Sequence, residues 1–213
     1  MRYRVKICGV TTPEQGRAAA VAGADAVGLV FHPPSRRFVE PEQAAAIVAA
    51  LPPFVTTVGL FVDARPGCVE AILNAVSLDC LQFHGHEAAG DCARFGRPYL
   101  KAIAMGEGQD PRPAMDVHPE AQGFLLDSHG GGREGGSGHR FDWQTVPDAL
   151  ERPWLLAGGL DSDSVREALR YLRPYGVDVS SGVESAPGIK DARRMRAFVR
   201  AVRECEVEID EQD

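Results

Sequence analysis

The chain has 213 residues, with 23 Lys and Arg against 30 Asp and Glu, for a formal net charge of −7. A 44% hydrophobic and 25% charged composition excludes a disordered chain, and 23 glycines without a three-residue period exclude collagen. The length favours one domain that buries about 70% of its unfolded surface without staples, and the acidic balance argues against a nucleic-acid partner, which calls for a basic face.

The predicted elements alternate along the chain. A strand at residues 4–7 leads to a helix with Thr12 as N-cap, Pro13 at its first position, Gln15 completing a capping box and Gly23 stopping it. A strand at 26–31 precedes an Ala-rich helix opened by Pro41 and closed by Pro52 and Pro53. A strand at 57–61 precedes a helix opened by Pro66. A strand at 80–83 precedes a helix over 87–95 that ends at Gly96. A strand at 99–103 precedes a Pro-rich segment, 106–119, with weak helical character. A strand at 123–126 leads to a Gly-rich run at 130–138. A strand at 154–157 precedes a helix capped by Asp161 or Ser162 and running to about Leu172. A strand at 176–179 precedes a short helix expected near Glu184 and a last helix over 190–202. Residues 1–203 are expected to form one domain, and the six acids of 204–213 a solvated, frayed tail.

Eight strand–helix repeats fit either a closed (β/α)8 barrel of the TIM type or a doubly wound open sheet. The strand ends favour the α/β barrel. Cys8, His32, Asp63, His84, Asp127, Gly158 with Gly159, and Ser180 with Ser181 follow the strands, and a barrel gathers all such ends at one mouth. Period-two alternation aims Lys6 and Cys8, Gln82 and His84, Leu125 and Asp127, and Asp178 and Ser180 inward. Lys6, Lys101 and Asp178 then become interior charges that need partners. Lys6 and Asp178 lie on strands that meet when the barrel closes, so they are expected to pair.

Several motifs carry chemistry, each beside a plainer reading. The 130–138 run is either a floppy connector or a lid over the mouth. Gly158 with Gly159, and Ser181 with Gly182, are plain turns or a backbone cradle for phosphate. Cys8 is a small inert hydrophobe or a reactive thiol. Asp127, an acid ending an apolar strand, is either paired or in use. Arg36 and Arg37 are a solvated pair or a clamp on a carboxylate or phosphate. His84 and His86 are half a metal site without a third ligand, so no metal is expected. Five cysteines without a C-x-x-C pair imply neither disulfides nor zinc. No signal peptide or membrane-length apolar run is evident, which predicts a cytoplasmic protein without a membrane partner.

The segments KICGVT (6–11), GLVFHPPSRRFV (28–39), VGLFVD (58–63), LQFHGHE (81–87), LDS (126–128), GGSGHRFDW (135–143), LAGGL (156–160) and VDVSSGVESAPGIK (177–190) resemble the phosphoribosylanthranilate isomerase family over nearly the whole chain. The resemblance implies a cofactor-free Amadori rearrangement of N-(5-phosphoribosyl)anthranilate in tryptophan biosynthesis. It makes Cys8 the general base, Asp127 the general acid and Arg37 the contact to the anthranilate carboxylate. Gly158, Gly159, Ser181 and Gly182 become the phosphate loops, and His84 and Asp178 complete the expected substrate-binding set. The thiol near pKa 8.5 must be lowered toward neutrality or react through its minor thiolate. The sequence departs from the family at His32, where Tyr is common, and in the GGSGH lid, which lacks a Lys and is longer. A related histidine-pathway phosphosugar isomerase is disfavoured because it pairs aspartates where Cys8 stands, and a non-catalytic phospho-ligand barrel because Cys8 and Asp127 are both present. A monomer or homodimer is expected.

Overall fold

All eight predicted strands form, and they pair in parallel and in chain order into a closed barrel, which decides against the open sheet. They are β1 (Arg4–Cys8), β2 (Ala26–Val30), β3 (Thr56–Phe61), β4 (Cys80–Phe83), β5 (Tyr99–Ala104), β6 (Gly123–Asp127), β7 (Trp154–Leu156) and β8 (Gly176–Val179). β1 pairs with both β2 and β8, closing the ring. The computed structural model describes residues 2–106, 109–128, 143–147 and 150–210.

Helices α1 (Pro13–Ala22), α2 (Pro41–Ala49), α3 (Pro66–Ala75), α4 (Ala89–Ala93), α5 (Arg112–Asp116), α6 (Ser164–Tyr171) and α7 (Ala192–Asp210) surround the barrel. α1 begins as its sequence dictates. Pro13 supplies the preset φ, the Gln15 N–H donates to Thr12 Oγ1, and Gly23 ends the helix at φ 96°. The capping box differs by one residue, because Gln15 Oε1 accepts from the Thr11 N–H at 3.0 Å rather than from Thr12. At α6, Asp161 caps from outside the helix, accepting the Ser164 N–H at 2.8 Å.

Packing sorts the strand residues into two layers. Val5, Ile7, Val27, Leu29, Phe124 and Leu126 face the helices in one large core. In that layer Phe31, Phe61 and Phe83 form a row with centroids 5.4 and 6.1 Å apart, binding β2 to β4. Cys8, Val30 and Leu60, and separately Ala102, Leu125 and Ala157, fill the barrel interior.

Three expectations change. Lys101 does not point into the barrel. It registers with Phe83 and Phe124, which face the helices, so it shares their outward phase. The helix expected near Glu184 is instead a single 3-10 turn (Ser181–Val183) followed by a hairpin, β9 (Glu184–Ala186) and β10 (Ile189–Lys190). The reason is the Pro187–Gly188 turn, with Gly188 at φ 81°. The tail does not fray at residue 204. α7 continues to Asp210, Cys205 is buried, and Glu206 accepts the Tyr3 N–H at 2.6 Å, tying this stretch to the start of β1.

Candidate active site

Cys8 ends β1 with its side chain inside the barrel. Two residues below it, the Lys6 ammonium lies 2.8 Å from Asp178 Oδ1, the pairing that alternation predicts. Both side chains are buried, at 2% and 9% exposure, so the pair forms a charged floor under the thiol. Desolvation works against the Lys6 charge, yet Asp178 and Cys8 outweigh it and raise its pKa. The thiol behaves differently. Burial pushes the Cys8 pKa up, and Lys6 and Lys190 recover only part of that shift.

Gly28, the register partner of Cys8, makes this corner possible. A Cβ there would sit 2.8 Å from Cys8 Sγ and 3.1 Å from Lys6 Nζ.

Asp127 ends β6, three strands from Cys8 around the ring, and also points inward. His84, at the end of β4, reaches across β5 to place Nε2 3.3 Å from Asp127 Oδ2. Below it Gln82 Nε2 lies 3.0 Å from His84 Nδ1. In the tautomer with the proton on Nε2, Nδ1 accepts from the Gln82 amide and Nε2–H faces Asp127.

Arg37 lies beside the same mouth. Its Nε and Nη2 hold both oxygens of Glu184, at 2.7 and 2.8 Å. Glu184 Oε1 also accepts from Lys190 Nζ at 2.7 Å. Burial opposes the Glu184 charge, but Arg37 and Lys190 hold its carboxyl below the ordinary range. Burial also lowers the Lys190 pKa, with Glu184 opposing. Lys190 donates as well to Ser180, whose hydroxyl donates to the Cys8 carbonyl at 3.1 Å. A chain of bonds thus joins Arg37 to the backbone of Cys8.

The turns after β7 and β8 meet at the rim. Gly158 and Gly159 have φ 89° and 62°, the left-handed region that favours glycine. Gly182 lies so close to the Leu160 carbonyl that a Cβ has no room.

The sequence matches the family model "N-(5'phosphoribosyl)anthranilate (PRA) isomerase" over residues 5–201. A relative of that name from Acidithiobacillus ferrooxidans is 54% identical over 94% of this chain and 97% of its own. The chain belongs to the phosphoribosylanthranilate isomerase family. Among solved structures, phosphoribosylanthranilate isomerase from Thermotoga maritima is 36% identical, with TM-score 0.83 over 95% of this chain and 99% of that one. Another phosphoribosylanthranilate isomerase, solved in complex with reduced 1-(o-carboxyphenylamino)-1-deoxyribulose 5-phosphate, is 33% identical with TM-score 0.80, covering 95% and 99%.

In this phosphoribosylanthranilate isomerase family member, the structure brings Cys8, Asp178, Asp127, His84 and Arg37 to the barrel interior and mouth, with Gly158, Gly159, Ser181 and Gly182 at the rim. The expected lid at 130–138 lies outside the described residues. All five cysteines are free. Among the described residues, no group of three or more His, Cys, Asp or Glu could hold a metal, and no helix is long and apolar enough to cross a membrane. Sequence reasoning missed Glu184 and Lys190 as members of the site. Their signal was the hairpin turn at Pro187–Gly188, which folds Lys190 back over Glu184. It also missed Gln82 as the partner of His84, although the two share one inward face.

Proposed function

We propose that the chain isomerises N-(5'-phosphoribosyl)anthranilate to 1-(2-carboxyphenylamino)-1-deoxyribulose 5-phosphate, a step of L-tryptophan biosynthesis. The observation that carries the reading is a buried thiol above a Lys–Asp floor, in the same mouth as an aspartate held by a histidine. Asp127 gives a proton to the ribose ring oxygen as the C1'–O bond breaks and the anilino nitrogen forms a Schiff base. The Cys8 thiolate then removes the C2' proton, and the electron pair left behind forms an enolamine. Protonation at C1' and loss of the enol proton give the ketone. Each positioned acid or base is worth roughly 100- to 10,000-fold in rate.

The remaining roles follow from position. The part of the Arg37 fork not held by Glu184 takes the anthranilate carboxylate. Backbone N–H groups at Gly158, Gly159, Ser181 and Gly182 take the phosphate, and that remote contact holds the sugar for reaction. His84 lines the sugar site, and Asp178 acts on substrate from the floor through Lys6 and Cys8. The free cysteines support a reducing, cytoplasmic setting, and the unit is a monomer or homodimer.

The test is a steady-state assay with two substrates, the anthranilate compound and the histidine-pathway phosphoribosyl aldose. Turnover of the first alone is expected. Turnover of the second alone would move the chain to the histidine-pathway reaction, and binding without turnover of either would reduce it to a ligand-binding barrel.

A further inference from the structure

The proposed mechanism leaves one buried ion pair unused, and it lies outside the barrel. The Lys101 ammonium, pointing toward the helices, is 3.2 Å from Glu87 Oε2, and both side chains are only 7% exposed. Lys101 also donates to the carbonyls of Gly85 at 2.7 Å and Phe83 at 3.3 Å, the residues on either side of His84. Glu87 accepts from two backbone N–H groups. One is Gly85 at 2.9 Å, in the turn after β4, and the other is Asp63 at 2.8 Å, in the turn after β3. Asp63, at φ 47°, returns the contact by accepting the His86 N–H at 2.6 Å. Gly85 has no side chain because the Asp63 carboxylate fills the space a Cβ would take.

These bonds fasten the two turns together on both sides of His84. A turn carrying a catalytic-site imidazole would otherwise be free to move, since loops are the more mobile parts of a barrel. His84 is then fixed twice, by its clamped backbone and by Gln82 at Nδ1. Its Nε2 stays 3.3 Å from Asp127 Oδ2.

We propose that Glu87 is a positioning residue for the acid step, holding the β4–α4 turn so that the His84 Nε2–H faces Asp127. This rests on the reading of Asp127 as the acid. Glu87 is only 7% exposed and acts through the turn it holds, not on the reacting atoms. Its effect is on kcat, because a small misplacement of a group at the reacting centre costs up to about 100-fold in rate.

The experiment compares two double variants that both lack the buried charges, since a lone Lys101 or Glu87 charge would destabilise the fold. Glu87→Gln/Lys101→Met keeps an acceptor oxygen for the turn N–H groups. Glu87→Ala/Lys101→Met removes it. Urea unfolding selects conditions in which both are folded. Both variants lose the Lys101 bonds to the Phe83 and Gly85 carbonyls, so the first, not the parent, is the reference for kcat. Relative to it, the second should lose roughly 10- to 100-fold in kcat with KM within about twofold. Imidazole 15N NMR, with the His84 signals assigned by their loss in His84→Asn, should show the Nε2–H tautomer in the parent and the first variant, and averaged tautomers in the second. Equal kcat and equal His84 signals in the two variants would overturn the proposal. Full activity in Asp127→Asn, with the His84 difference between the two variants intact, would instead sink the acid assignment and leave the clamp standing.

Discussion

Replacing Lys6 by Met tests the electrostatics under the thiol. Cys8 Sγ and Lys6 Nζ lie 2.8 and 3.1 Å from the same point above Gly28, so they are within about 6 Å of each other. A unit charge at about 6 Å, at an effective dielectric of about 20, is worth about 2.8 kcal/mol, or about 2 pKa units. Asp178, 2.8 Å from Lys6, opposes that effect while it stays charged. In Lys6→Met/Asp178→Asn that opposing charge is removed together with the attraction of Lys6. The expected net rise in the Cys8 pKa is therefore about 1–2 units. The base must be a thiolate, so the rising limb of kcat/KM against pH moves up by the same amount. Ultraviolet titration of thiolate absorbance, taken as the difference from Cys8→Ser, reads Cys8 alone among the five cysteines. Lys6→Met/Asp178→Asn serves as a folded control free of the orphaned carboxylate. An unchanged Cys8 pKa in both variants would refute the electrostatic role of Lys6 even though the parent holds the Lys6–Asp178 pair.

Gly28→Ala forces a methyl against Cys8 Sγ and Lys6 Nζ. It should cost about 1–3 kcal/mol in urea unfolding and lower kcat, and neutrality in both would mean the corner is not tightly packed. Glu184→Gln should loosen Arg37 and raise KM about tenfold with a smaller effect on kcat, a pattern that Arg37→Ala should exaggerate. Unchanged KM in both would remove Arg37 from substrate recognition. Ending the chain after Arg203 deletes buried Cys205 and the Glu206 bond to Tyr3, so stability should fall by about 2–4 kcal/mol. An unaltered urea midpoint would return the segment to a solvated tail.

The barrel was legible because each strand is a short apolar run between strong helix stops and starts, with Thr12, Pro13 and Gly23 placing α1 to the residue. Alternation foresaw the Lys6–Asp178 pair because both strands are regular and adjacent in the ring. It failed for Lys101, where the residue must be phased against its neighbours Phe83 and Phe124 rather than against a polar strand end. Composition misled at 204–206, where an acidic run looked solvated although Glu206 has a backbone partner 203 residues away. Such a partner leaves no local signal. The sequence marks Arg37 as a cation seeking an anion, but it places Glu184 at a helix start, where nothing aims its carboxylate at the mouth. The family resemblance supplied the roles of Cys8 and Asp127. The physical setting of each came only from the packed barrel.

The most direct test of the central claim is turnover of N-(5'-phosphoribosyl)anthranilate, followed by loss of substrate fluorescence, in the parent, Cys8→Ala and Asp127→Asn. The account predicts turnover by the parent and a fall of at least about 100-fold in kcat for each variant, with KM within a few-fold. An inert parent, or either variant within about tenfold of its kcat, would contradict the assignment of Cys8 as base and Asp127 as acid.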